Sequence, residues 1–342
     1  MKKFKSYFLI ILLGIVFTLC LISCENAKRT KIKVAEVAHS VFYAPQYVAM
    51  ELGFFQEEDL EIDLFNANGA DKVTAALLSG DVQIGLQGPE PTIYLYNNDH
   101  NNYLVNFAQL TQTDGSFLFG REQIPDFDLS MLRGKEVLGG RKGGVPEMTL
   151  EYVLKQAGLN VVQDAQNKVL KDNEVNVRTD VAFAAMAGSF LAGEGDYVTL
   201  FEPTATDLVK ANKAYLLCSI GKYIGKVPYT AYSTTLKYYE KNKDIIEKFT
   251  RAIYKGQQYV QTHSNLDVAQ ILHKAFPDIK VEDLAEVVAR YRFIDAWCVT
   301  PYFEEEGFNK LMDIMEEANE LNERAPYEKL VNNEICNRIL YK

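Results

Sequence analysis

The sequence predicts an α/β protein of two lobes, and three observations carry that expectation. Residues 31–92 alternate short apolar strands with amphipathic helices, the pattern of a parallel sheet with right-handed crossovers. The alternation restarts near residue 135, after a polar stretch, and runs to about residue 210. From Asn242 onward the apolar spacing is helical, so the second series ends in a helical tail rather than a third sheet.

The elements follow in order. KIKVAEV (31–37) is an apolar strand. Ala44, Tyr47, Val48, Leu52 and Phe55 then fall on one helical face that runs out near Gly53. LEIDL (60–64) alternates as a strand does, and Asn68-Gly69-Ala70-Asp71 opens a helix that stops at Gly80. VQIGL (82–86) is the third strand, and Gly88-Pro89-Glu90-Pro91 turns it into a helix. YLVNFA (103–108) and SFLFG (116–120) continue the first lobe as strands. The polar, Pro125-bearing stretch 121–131 reads as the crossing into the second lobe. KEVLG (135–139) is followed by Gly140-Arg141-Lys142-Gly143-Gly144 and a helix whose first turn accepts Pro146. Residues 160–173 are polar and peripheral. Residues 175–177 form a short strand, and Asp180 is placed to cap a helix through Leu191. YVTLF (197–201) is a buried strand ended by Glu202-Pro203, and residues 227–233 read as a strand crossing back. The tail helices are expected at 244–262, 266–275, 281–293 and 304–323, with a last one after Pro326.

The domain expectation is therefore 1–23 leader, 24–30 tether, 31–120 first lobe, 121–227 second lobe and 228–342 return to the first lobe. In open parallel sheets, ligands bind beyond the carboxyl ends of the strands, where helix N-termini offer free N–H groups.

Composition narrows the function. The 342 residues are 48% hydrophobic and 24% charged, an ordinary globular balance, with a net charge of −10 and no basic block past the first residues. A nucleic-acid partner therefore has no support. The five cysteines (20, 24, 218, 298, 336) show no CxxC pair, and four scattered histidines (39, 100, 263, 273) have no metal-ligand spacing, so no metal and no cofactor are expected. Neither G-x-S-x-G, H-E-x-x-H nor a P-loop occurs.

Lys2, Lys3 and Lys5 precede an apolar run over residues 8–22. As a helix it would span about 22 Å, short of the roughly 30 Å hydrocarbon layer, so it reads as a targeting segment. It ends in Leu21-Ile22-Ser23-Cys24, which resembles the lipobox of bacterial lipoproteins. That resemblance implies cleavage before Cys24 and lipid attachment to it. The chain would then be held at the outer face of the cell membrane.

Four further segments carry a wider resemblance: APQYVAMELGFFQEEDLEIDLF, TAALLSGDVQIGLQGPEP, LRGKEVLGGRKGGVPEMTLEYVLKQAGL and GDYVTLFEPTA. In this order they resemble the extracellular solute-binding proteins of ABC importers, in the subgroup for nitrate, alkanesulfonates, taurine and thiamine-pyrimidine precursors. The resemblance covers roughly residues 31–340. It implies the type II periplasmic-binding-protein-like fold, with two three-layer lobes, a hinge of two strands and a small molecule closed between the lobes. The implied partners are a membrane permease with a cytoplasmic ATPase, and the protein itself would be a monomer. The related pyrimidine synthase shares this fold, but its CCCFC iron motif is absent here, so an enzyme is not expected. A tethered sensor domain on the same fold is the third reading.

In proteins of this shape the loops after the strands line the cleft. Here they supply His39, Phe42, Tyr43, Gly88, Glu90, Thr111, Gly143, Gly144, Val145, Glu147 and Glu202 as ligand-binding candidates. Gly143-Gly144 serves equally as a tight strand–helix turn, and Glu202-Pro203 equally ends a strand. Arg141 and Lys142 read as a solvated rim. Three carboxylates among the candidates favour a cationic or NH-rich heterocycle, such as a pyrimidine precursor, over nitrate or a sulfonate. The pyrimidine-binding members carry a Trp and an Asn-x-x-His before the first helix, and residues 37–43 hold neither.

Overall fold

The computed structural model describes residues 29–163 and 170–341, so the leader and Cys24 lie outside the described residues. Its strands are β1 (Thr30–Glu36), β2 (Leu60–Asn66), β3 (Ile84–Gln87), β4 (Leu104–Thr111), β5 (Phe117–Gly120), β6 (Glu136–Leu138), β7 (Asn160–Gln163), β8 (Glu174–Arg178), β9 (Tyr197–Leu200), β10 (Tyr215–Ser219) and β11 (Thr230–Thr235). They form two sheets, ordered β2-β1-β3-β11-β4 and β10-β5-β9-β6-β8-β7. Each sheet is parallel apart from one strand that has just entered from the other lobe. β11 runs antiparallel between β3 and β4, and β5 runs antiparallel between β10 and β9.

The placement of β5 corrects the expected boundary. SFLFG does not close the first lobe; it pairs with β9 and β10 in the second sheet. Its four residues are buried on both faces, as a central strand requires, so hydrophobicity alone could not assign it to a lobe. The chain crosses at 112–116, and the polar stretch 121–131 is an excursion on the second lobe. β7 and β10 were not expected: both are edge strands, partly exposed and four or five residues long. Asp180 caps no helix. It pairs with Arg178, and the helix begins later, at Met186–Leu191.

The tail helices are Lys243–Thr262, Asn265–Leu272, Val281–Phe293, Glu305–Glu317, Tyr327–Leu330 and Glu334–Leu340; the fourth ends six residues before the expected 323, and two helices follow Pro326 where one was expected. Lys243–Thr262 lies against Ala44–Glu51, the helix after β1, so the tail thickens the first lobe. Gly256 sets their spacing: a Cβ there would meet the Pro45 carbonyl at 2.2 Å and the Ala49 side chain at 3.1 Å. Gly256→Val should therefore push the helices apart and cost about 1–3 kcal/mol, read as a lower urea midpoint with the slope unchanged.

The two crossings run side by side. Val227 N–H donates to Gln112 O at 2.9 Å, and Tyr229 N–H to Thr111 O at 3.2 Å. Thr113 Oγ1 donates to Gly225 O at 2.7 Å. Between them sits Asp114, fully buried, whose carboxylate accepts from Ser116 N–H at 2.6 Å, from Tyr229 OH at 3.0 Å and from Thr149 Oγ1.

Candidate ligand-binding site

The facing strand ends enclose a cavity of about 460 Å³. From the first lobe it is lined by residues following β1, β2 and β3, and from the second by those following β6, β8 and β9. Tyr229 and Thr230 close its floor from the return crossing. Both halves thus present the carboxyl ends of parallel strands, where such folds can hold ligands.

Glu90 is the polar group of greatest consequence. It opens helix Glu90–Asn98 straight after β3, is 2% exposed and lines the cavity. Its Oε2 has no hydrogen-bond partner among the described residues. The Arg141 Nη2 lies 3.8 Å from Oε1, too far for a hydrogen bond, and Arg141 is itself half exposed. Burial pushes the Glu90 carboxyl up to about 7, although Arg141 and the backbone N–H groups of Glu90 and Val145 pull the other way. Gly88 makes room for this side chain, since a Cβ there would lie 2.0 Å from Oε2.

Glu202 is different. It also lines the cavity, but its carboxylate is paired with Arg290 and accepts the Thr206 N–H at 2.9 Å. Its backbone is tied to the first lobe: Ser40 Oγ donates to its carbonyl at 2.5 Å, and its N–H donates to Tyr291 OH at 3.2 Å. Arg290 and Tyr291 belong to helix Val281–Phe293 of the tail. The charge expected of Glu202 toward a ligand is thus already neutralised.

His39 lines the rim with both ring nitrogens engaged. Nε2 donates to Ala275 O at 3.0 Å, and Nδ1 lies 3.2 Å from Glu36 Oε1. The ring stacks on Phe276 with centroids 4.4 Å apart. The Glu36 carboxylate, buried and also held by Gln46 and Tyr47, raises the His39 pKa. Phe42 and Tyr43 form both core and wall. The Phe42 ring packs 5.2–5.8 Å from Tyr43, Phe201, Tyr229 and Tyr291, and its carbonyl accepts the Trp297 indole N–H at 2.8 Å.

Of the expected site residues, His39, Phe42, Tyr43, Gly88, Glu90, Gly144, Val145 and Glu202 line the cavity, and Thr111, Gly143 and Glu147 do not. Thr111 bonds the Thr230 hydroxyl at 2.6 Å. Gly143 donates its N–H to Glu147 at 3.0 Å and accepts from Tyr94 OH at 3.0 Å. Glu147 is fully buried; Gln163 donates to it at 2.8 Å, and burial together with neighbouring Glu151 pushes its carboxyl up to about 8. Arg141, read as rim, is half exposed yet lines the cavity. Phe183, Phe201 and Tyr229 were missed as wall residues. For Tyr229 the only cue was its place on the returning strand.

The family model described as NMT1/THI5 like matches residues 41–265. The chain belongs to that family. The putative binding protein YtlA of Bacillus subtilis (strain 168) is 39% identical over 328 residues, covering 95% of each chain. Among solved structures, the ligand-binding component of an ABC-type import system from Staphylococcus aureus, with zinc bound, matches with a TM-score of 0.72 at 13% identity. That match covers 92% of this chain and 100% of the other. The desulfurization enzyme DSZB matches at 0.62 and 11% identity, covering 92% and 99%. At such identities these structures speak to the fold alone. Among the described residues, no group of three or more His, Cys, Asp or Glu side chains is arranged to hold a metal ion.

Two outcomes follow from this geometry. Arg290→Leu leaves Glu202 buried without its cation and should cost about 3–5 kcal/mol in chemical unfolding, with much of that loss relieved when Glu202→Gln is added. His39 has a folded pKa above its ordinary 6.5, so its pairing with Glu36 stabilises fully below that value and fades as pH rises through the higher one. Melting temperatures of the wild type and His39→Gln should differ most in acid and converge in alkali.

Proposed function

We propose that this chain, a solute-binding component of an ABC import system, traps one small organic molecule between its lobes and presents it to a membrane permease coupled to a cytoplasmic ATPase. The observation that carries this reading is the position of the cavity. It lies where two sets of parallel strand ends face each other, with two hydrogen-bonded crossings carrying the chain between the halves. Such a joint permits a hinge motion, and a ligand touching both lobes favours the closed state by its differential affinity.

The work would be done outside the cytoplasm by a monomer tethered through the acylated Cys24. No helix among the described residues is long and apolar enough to cross a membrane. Binding is favoured over catalysis. Cys218, Cys298 and Cys336 are free thiols that do not line the cavity, and burial pushes all three upward, to about 12 for Cys218 and Cys336. His39 has no nitrogen free to act as a base. A nitrogen-bearing heterocycle is the first expectation for the ligand. An alkanesulfonate, taurine or nitrate is the second, favoured by Arg141 and Lys72 in the lining.

Small-angle scattering of the purified protein with its co-purified solute, and after the solute has been removed by partial unfolding and refolding, should show a smaller radius of gyration in the loaded state. Identical profiles for loaded and stripped protein would remove the hinge-closure reading.

A further inference from the structure

The polar end of the cavity is built like an anion site, but one that the protein has filled itself. Helices Glu90–Asn98 and Val145–Gln156 both start there, one from each lobe, and N-termini of this kind attract negative charge. The charge they meet is the Glu90 carboxylate, on which the N–H groups of Glu90 and Val145 both act. A sulfonate or nitrate entering this corner would lie against that carboxylate. Arg141 approaches no closer than 3.8 Å, and Glu90, a residue of the cavity lining, has its second carboxylate oxygen buried with no partner among the described residues. A buried acceptor left in this state is costly, and a donor carried by the ligand removes the cost.

Another part of the cavity lining has a different character. Ala182, Phe183, Met186 and Ala187 from the second lobe, with Phe201 after β9, make an apolar wall. Phe183 is 40% exposed, and its ring lies 5.6 Å from that of Phe201. Large apolar side chains left open beside a cavity offer contact area to an apolar body.

We propose that the ligand is a compact amine or protonated nitrogen base bearing an apolar or aromatic body, with its N–H group on Glu90 Oε2 and its body against Phe183 and Phe201. This assignment rests on the reading of the protein as a solute-binding component and names the chemistry of that same cavity. Glu90 is then the residue that excludes anions, because it occupies the place between the two helix starts that they would take. A carboxylate is fitted to this role, since a charge-assisted N–H···O bond in a site closed to water is stronger and more directional than a neutral one.

The test uses three probes that share one ring: benzylamine, benzyl alcohol and benzenesulfonate, titrated calorimetrically into the wild type and Glu90→Gln. The amine is expected to bind at least about tenfold more tightly than the alcohol, with the sulfonate weakest. Glu90→Gln should cost the amine at least about tenfold and the alcohol several-fold less than the amine. The substitution removes a buried charge and keeps the side chain's shape, so folding is expected to survive it. Should it fail to fold, the order of the three probes on the wild type decides alone. Tightest binding by the sulfonate, or undiminished amine binding by Glu90→Gln, overturns the assignment. If the sulfonate also compacts the protein in scattering, the solute-binding reading stands while the ligand class falls. If none of the three binds, the ligand class falls as well, and compaction by the co-purified solute decides the solute-binding reading separately.

Discussion

The arrangement of both lobes depends on one buried carboxylate at the place where the chain passes between them. Asp114 lies on the outgoing crossing, yet it accepts from Tyr229 on the returning crossing and from Thr149 in the first helix of the second lobe to line the cavity. Burial pushes its pKa up, and these donors, with Ser116 N–H, offset part of that rise. Three segments distant in sequence therefore meet at one acceptor. Gly221 sits against the same point, where a Cβ would lie 2.3 Å from the Asp114 carbonyl.

The lobes also touch at two other places, and these differ in kind. On one side, helix Val281–Phe293 reaches over from the tail to hold the Glu202 turn through Arg290 and Tyr291. These groups are largely buried and interlock with an aromatic cluster. On the other side the contacts are Tyr94 to Gly143, Lys155 to the Glu317 carbonyl and a partly exposed Lys142–Glu320 pair. Pairs of the last kind contribute little. The second seam is the weaker one, and motion of the lobes would open the cavity there first.

Elements with long, regular patterns were legible in the sequence. The helix over 281–293 has the expected bounds, and the strand–helix units around 30–98 differ at their ends and in the break at Gly53 that divides the first helical face into Ala44–Glu51 and Phe54–Glu57. Elements whose identity depends on partners were not. Four apolar residues at 117–120 make a strand in either lobe, and only pairing with β9 and β10 decides which. The site divided in the same way. Gly88, Glu90, Gly144 and Val145 could be found because strand ends and helix starts are local events. Arg290 could not, since its pairing with Glu202 spans 88 positions and turns an apparent ligand carboxylate into a structural one. Glu147 failed for a related reason: Gln163, from an unexpected edge strand, captures it away from the cavity.

A Cβ at position 88 would lie 2.0 Å from the Glu90 carboxylate, which makes these two sites a single heritable unit. Any side chain at 88 would evict the acid, and a shorter residue at 90 would make the glycine unnecessary. Relatives that lack the acid at 90 would be expected to be free of the glycine at 88 as well, so the two positions together are a genetic marker by which diverging paralogues could be sorted.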